Sequence, residues 1–111
     1  MDHYVIWVDL APGASDLEFV NSVKTFVGAL QAQGKLAEYR IVRRKFGFGP
    51  EGLGEFCITL SFESLTQLDA AFDVAAARED PVESLHHAVY SRVRNFKSAL
   101  YRDFPDPVRV Q

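Results

Sequence analysis

The sequence predicts an α+β domain of the ferredoxin-like type, βαββαβ, with a short extra helix before the last strand and a four-stranded antiparallel sheet. Three observations carry this. Apolar side chains alternate with period two over residues 3–10 and 55–62. They recur at helical spacing after Ser15 and Ser64. Each of those serines stands three residues before a Glu or Gln, the capping-box arrangement that opens a helix.

The first strand is predicted over 3–10, where β-branched and aromatic residues dominate. Tyr4, Ile6, Val8 and Leu10 make an apolar face, with His3, Val5, Trp7 and Asp9 opposite. Trp on the more polar face argues that both faces are covered. Pro12 and Gly13 form a loop, and Ser15 with Glu18 starts a helix whose stripe is Phe19, Val23, Phe26, Val27 and Leu30. Gly34 supplies the stop.

Residues 37–46 are predicted as a second strand, in which Tyr39, Ile41, Arg43 and Lys45 alternate with Arg40, Val42, Arg44 and Phe46. Neither side is cleanly apolar, which places this strand near an edge or an interface. A glycine-rich connection, Gly47 to Gly54, leads to a third strand over 55–62. Its core face is Phe56, Ile58, Leu60 and Phe62, with Glu55, Cys57, Thr59 and Ser61 opposite. Ser64 with Gln67 caps the second long helix, whose stripe is Leu65, Leu68, Ala71, Phe72 and Ala75.

The stretch 80–105 closes the domain. Asp80 is the expected N-cap, Pro81 suits the first helical position, and Glu83 completes a capping box. Val82, Leu85, Val89 and Val93 recur at helical spacing, flanked by His86 and Tyr90, while His87 and Ser91 face away. Phe96, Leu100 and Phe104 fit a continued helix or a strand; a strand from about 96 to 104 completes the sheet, and Pro105 and Pro107 end it. The whole chain, 1–111, forms one domain. The sheet face opposite the helices is expected to carry Trp7, Tyr39, Ile41 and Tyr101, too apolar for water. Face-to-face packing of two sheets would bury it in a symmetric homodimer.

Composition narrows the function. The 111 residues are 48% apolar with a formal charge of −3, which gives no basic excess for nucleic acid or an anionic membrane. Cys57 is the single cysteine, so no internal disulfide forms and a reducing, cytoplasmic setting is expected. No stretch approaches the roughly 20 apolar residues of a membrane span. Gly47-Phe48-Gly49-Pro50-Glu51-Gly52 matches G-x-G-x-x-G, but it joins two strands and opens no helix that would meet a phosphate. Lys45-Phe46-Gly47-Phe48 is like part of an RNA-recognition signature, yet it sits on the wrong strand for base stacking.

His3, Glu83 and His86 are the candidate acid–base group, since histidine titrates near neutrality and a carboxylate orients it. Trp7, Tyr39 and Tyr90 are candidates to line a small hydrophobic pocket, with Arg43 meeting an acidic ligand group. His86 and His87 diverge on a helix, so no metal site is expected, and no cofactor is implied.

Taken with the element order, His3 at the start of strand one, Phe62-Glu63-Ser64-Leu65 entering helix two, and Val89-Tyr90 leading to Asp103-Phe104-Pro105 give the chain a family likeness. It resembles the dimeric α+β barrel superfamily, and most of all its stress-responsive A/B barrel (Dabb) branch. The resemblance implies a dimeric α+β barrel that binds a small hydrophobic or aromatic molecule or serves in stress. It also admits a cofactor-independent cyclase or monooxygenase acting on an aromatic or polyketide-like substrate, or a structural dimer without ligand. Cyclases of this kind pair a strand-one histidine, matched by His3, with the second histidine of a His-Pro-x-His run. Here that run is Asp80-Pro81-Val82-Glu83, so His3 would face Glu83.

Overall fold

Seven elements follow one another in the computed structural model, which describes residues 1–106. They are β1 (Asp2–Leu10), α1 (Asp16–Ala32), β2 (Glu38–Arg43), β3 (Phe56–Phe62), α2 (Leu65–Ala76), α3 (Val82–Tyr90) and β4 (Val93–Arg102). Pro107, expected to help end the last strand, lies outside the described residues. The sheet order is β2-β3-β1-β4, with every neighbouring pair antiparallel. This is the ferredoxin-like α+β fold. β2 and β4 are the two edges.

The helices form where the caps predict. Ser15 Oγ accepts the Glu18 N–H at 3.3 Å, and Ser64 Oγ accepts the Gln67 N–H at 3.2 Å. The core lies between the helices and one sheet face. Phe19, Val23, Val27 and Leu30 of α1 meet Val8, Phe56, Ile58, Leu60 and Phe62. At α3 the cap differs from expectation. Asp80 Oδ1 accepts the Ser84 N–H at 3.0 Å, Pro81 is itself the N-cap, and Glu83 makes no reciprocal bond to the cap.

Two strand expectations are corrected. β2 ends at Arg43 rather than 46, because Phe46 (φ 56°) and Gly47 (φ 70°) turn the chain in the left-handed region. Tyr39 and Ile41 pair with Leu60 and Ile58, so they share the helix-covered face and pack on the core instead of facing outward. The outward face of β2 is Glu38, Arg40 and Val42, level with Ser61, Thr59 and Cys57.

β4 begins at Val93, three residues earlier than predicted. Val93 pairs with Leu10 and Arg94 with Asp9; the register then shifts before Lys97 pairs with Trp7. Asn95, at φ 58°, is the extra residue of this β-bulge. The insertion reverses the alternation of side chains, so Val93 and Phe96 both point towards the helices. Without it Phe96 would face the open side.

Candidate functional site

The helices leave the β4 side of the sheet incompletely covered, and a cleft runs between the two layers there. It has two lobes. The narrower, about 110 Å³, lies among Val8, Val23, Val89, Tyr90 and Val93. The wider, about 260 Å³, lies among Tyr4, Leu30, Phe62, Phe72 and Ala75. Phe26, His86 and Phe96 border both lobes. For scale, an apolar cavity of about 150 Å³ binds benzene.

α3 places His86 here because it packs across α1 and beside β4. The His86 ring stacks on Phe26, centroids 5.1 Å apart and planes at 28°, and meets the edge of Tyr90 at 5.0 Å. Burial holds the His86 pKa below its ordinary value; Glu83 opposes that shift and Arg78 adds to it. The imidazole is therefore neutral at physiological pH and has an unprotonated ring nitrogen. Tyr90 Oη donates to Glu83 Oε1 at 3.3 Å. Among the described residues, no lysine, arginine or carboxylate lines either lobe.

Of the sequence candidates, the structure brings His86, Tyr90 and Glu83 together on α3. His3 lies across the sheet, on the face of Val5 and Trp7. There His3 Nε2 donates to Asp103 Oδ1 at 2.6 Å, and Nδ1 lies 2.8 Å from Ser61 Oγ. The chain's terminal amino group and His3 together hold the Asp103 carboxyl below its usual pKa. His3, Glu83 and His86 do not form one group.

Trp7 also stands on the open face, between Cys57 and Lys97. Tyr39 is on the helix side but at the far edge strand. Arg43 is engaged at the start of α1, donating to Asp16 at 2.9 Å and to Glu55 at 3.0 Å. Phe26, Phe72 and Phe96 border the cleft, a role that no local motif in the sequence marks. Phe26 and Phe72 were legible only as core stripe, and the bulge that turns Phe96 inward has no strong local signature. Among the described residues, no cluster of His, Cys, Asp or Glu is arranged to hold a metal ion, and no helix is long and apolar enough to cross a membrane.

Solved structures share this architecture. SnoaB from Streptomyces nogalater, described as a cofactor-independent oxygenase, superposes with a TM-score of 0.69 at 8% identity, covering 95% of this chain and 97% of that one. The protein At3g17210 from Arabidopsis thaliana gives 0.75 at 8% identity, covering 96% and 98%. A dimeric ferredoxin-like protein of unknown function from Jannaschia sp. CCS1 gives 0.67 at 10% identity, covering 92% and 98%. At such identities the likeness is one of fold. No curated protein sequence matches the chain significantly. Residues 1–111 match a single family throughout, and the chain belongs to that family of unknown function, DUF6614.

Proposed function

We propose that this protein is a homodimer that binds a compact, uncharged, apolar or aromatic molecule in the helix–sheet cleft of each protomer. The observation that carries the reading is the cleft itself: two hydrocarbon-lined lobes meeting at one neutral imidazole. Apolar pockets with few, convergent polar groups are the usual form of small-molecule sites. The dimer follows from the open sheet face, where Val5, Trp7, Ala99 and Tyr101 lie side by side. Neighbours described as dimeric support it.

Native mass spectrometry of freshly purified protein, followed by denaturing analysis of any passenger, tests this directly. A dimer carrying a small apolar molecule supports the reading and names its chemical class. A clean dimer that also fails to bind 1-naphthol in a calorimetric titration points to a structural dimer without ligand. A monomer removes the sheet-face assembly.

A second reading, a cofactor-independent cyclase or monooxygenase on an aromatic or polyketide-like substrate, is favoured by one feature. A neutral His86 beside Tyr90 and Glu83 is suited to take a proton from a phenol or from a C–H flanked by carbonyls. The resulting anion is the species that ring closure or direct reaction with oxygen needs. SnoaB's description as a cofactor-independent oxygenase adds support. Oxygen uptake with an anthrone probe, lost in His86→Phe, would establish it; uptake equal to the uncatalysed rate would remove it.

A further inference from the structure

Resting on the homodimer proposed above, we propose that each protomer closes the other's cleft with the tip of its β2–β3 hairpin. The tip is a structured protrusion. Arg44 folds back into the loop, donating to the Leu53 carbonyl at 2.6 Å and filling the space beside Gly49. Phe46 and Phe48 are held outward, 79% and 82% exposed, with their rings 6.1 Å apart and Lys45 lying over Phe46. Two adjacent exposed phenyl rings on a pinned loop need a partner.

The same chain offers the matching cavity. Phe96 and Phe72 border the cleft yet remain 56% and 43% exposed, and Leu100, on the same side of β4, is 53% exposed. The cleft mouth at the β4 edge is therefore apolar and open.

Topology brings the two features together. Aligned sheets packing face to face allow a two-fold axis along the strands or across them. An axis across the strands lays each β2 on its own copy, in reverse, and sets Arg40 over the partner copy's identical arginine. Like charges facing each other are unfavourable. An axis along the strands lays β2 over the partner's β4 without reversal. Glu38 then falls level with the partner's Tyr101, Arg40 with its Ala99 and Val42 with its Lys97, and no like charges meet at these three positions. One step on, Arg44 comes level with the partner's Arg94, but its guanidinium is turned back onto the Leu53 carbonyl.

In this second arrangement the hairpin tip, beyond the Arg43 end of β2, arrives level with the first residues of the partner's β4. Phe96 and the cleft mouth lie at that level on the helix side of β4, so the tip reaches them around the exposed β4 edge. Four strands at about 4.8 Å spacing and seven residues at about 3.3 Å give a flat footprint of only about 440 Å². Side-chain relief enlarges it, but the face stays near the low end of the roughly 800 Å² per partner of a stable interface. The capped mouths add apolar contact where the sheets alone supply little. The partner copy thus contributes two walls to each site.

The test is a cross-link. In a Cys57→Ser background, Phe48→Cys and Ser98→Cys are introduced singly and together, both at exposed positions. With a short bis-maleimide, the double variant should give a covalent dimer on denaturing gels, many-fold above either single variant, with the two introduced positions joined in peptide mapping. A dimer in ultracentrifugation that gives no such link overturns the capping and leaves the dimer standing. A monomer sinks both. Independently, Phe46→Ser with Phe48→Ser should weaken binding of 1-naphthol several-fold while the core unfolds at an unchanged denaturant midpoint. Unchanged affinity overturns the proposal.

Discussion

The side chains of Asp9 and Asn95 meet at 3.0 Å across 86 residues of chain, the amide of Asn95 donating to Asp9 Oδ2. The other oxygen of Asp9 accepts the Glu55 N–H at 2.9 Å. One carboxylate thus fixes both the end of the β2–β3 loop and the bulge that turns Phe96 into the cleft. The bond from Asn95, then that from Glu55, hold the Asp9 pKa below the usual carboxylate value.

Asn95 should therefore be replaceable only by residues that accept a positive φ. Asn95→Gly should cost the side-chain bond, about 1 kcal/mol. Asn95→Val should cost about 2–3 kcal/mol, because a β-branched residue is strained at φ 58° and the bond is also lost. Urea denaturation distinguishes them; equal costs would mean that the bulge persists without its conformational requirement.

Two glycines should respond oppositely to alanine. A Cβ on Gly54 would stand 2.4 Å from the Val8 carbonyl carbon, a backbone atom that cannot step aside. Gly54→Ala should destabilise by about 1–3 kcal/mol. Gly28 lies within α1 with nothing within 4 Å of a new Cβ, so Gly28→Ala should stabilise by up to about 1 kcal/mol. Thermal melts of the pair check the packing of the loop end on β1.

His86 should make ligand binding and stability acid-sensitive. Its folded pKa lies below the ordinary value of about 6.5. The unfolded chain therefore binds the proton first as pH falls, and stability present above about pH 6.5 declines below it. Asp9 and Asp103, also depressed, add their own loss only as pH falls below about 3.9, the unfolded carboxylate value. His86→Phe should remove the loss between pH 6.5 and 5 and leave the more acidic one. A variant whose stability still falls across that range would place the titration elsewhere.

Trp7→Arg should convert the dimer to monomer in ultracentrifugation while the protomer stays folded, since Trp7 lies on the open face with only part of its surface covered within the chain. An unchanged dimer would mean that another surface joins the copies. His3→Ala should leave 1-naphthol affinity unchanged, because His3 and the cleft occupy opposite faces of the sheet.

Local patterns in the chain determined the kind and order of the elements as far as Val93; past it Phe96, Leu100 and Phe104 fit helix or strand, and the need of the sheet for a fourth strand decided between them. Ser15 with Glu18 and Ser64 with Gln67 mark helix starts whatever surrounds them, since a cap is satisfied within four residues. The alternation of Phe56, Ile58, Leu60 and Phe62 likewise declares a strand and its buried face. The helix carrying His86 and Tyr90 was legible for the same reason, with those two side chains one turn apart. Only the tertiary structure decided which face Tyr39 and Ile41 occupy, that His3 and His86 are on opposite sides of the sheet, and that Phe96 looks into the cleft. Those outcomes depend on strand register, and register is set by partners such as Leu60, Ile58 and Asp9 that are distant in sequence. A one-residue bulge reverses every side chain beyond it, and no local period in the sequence records that reversal.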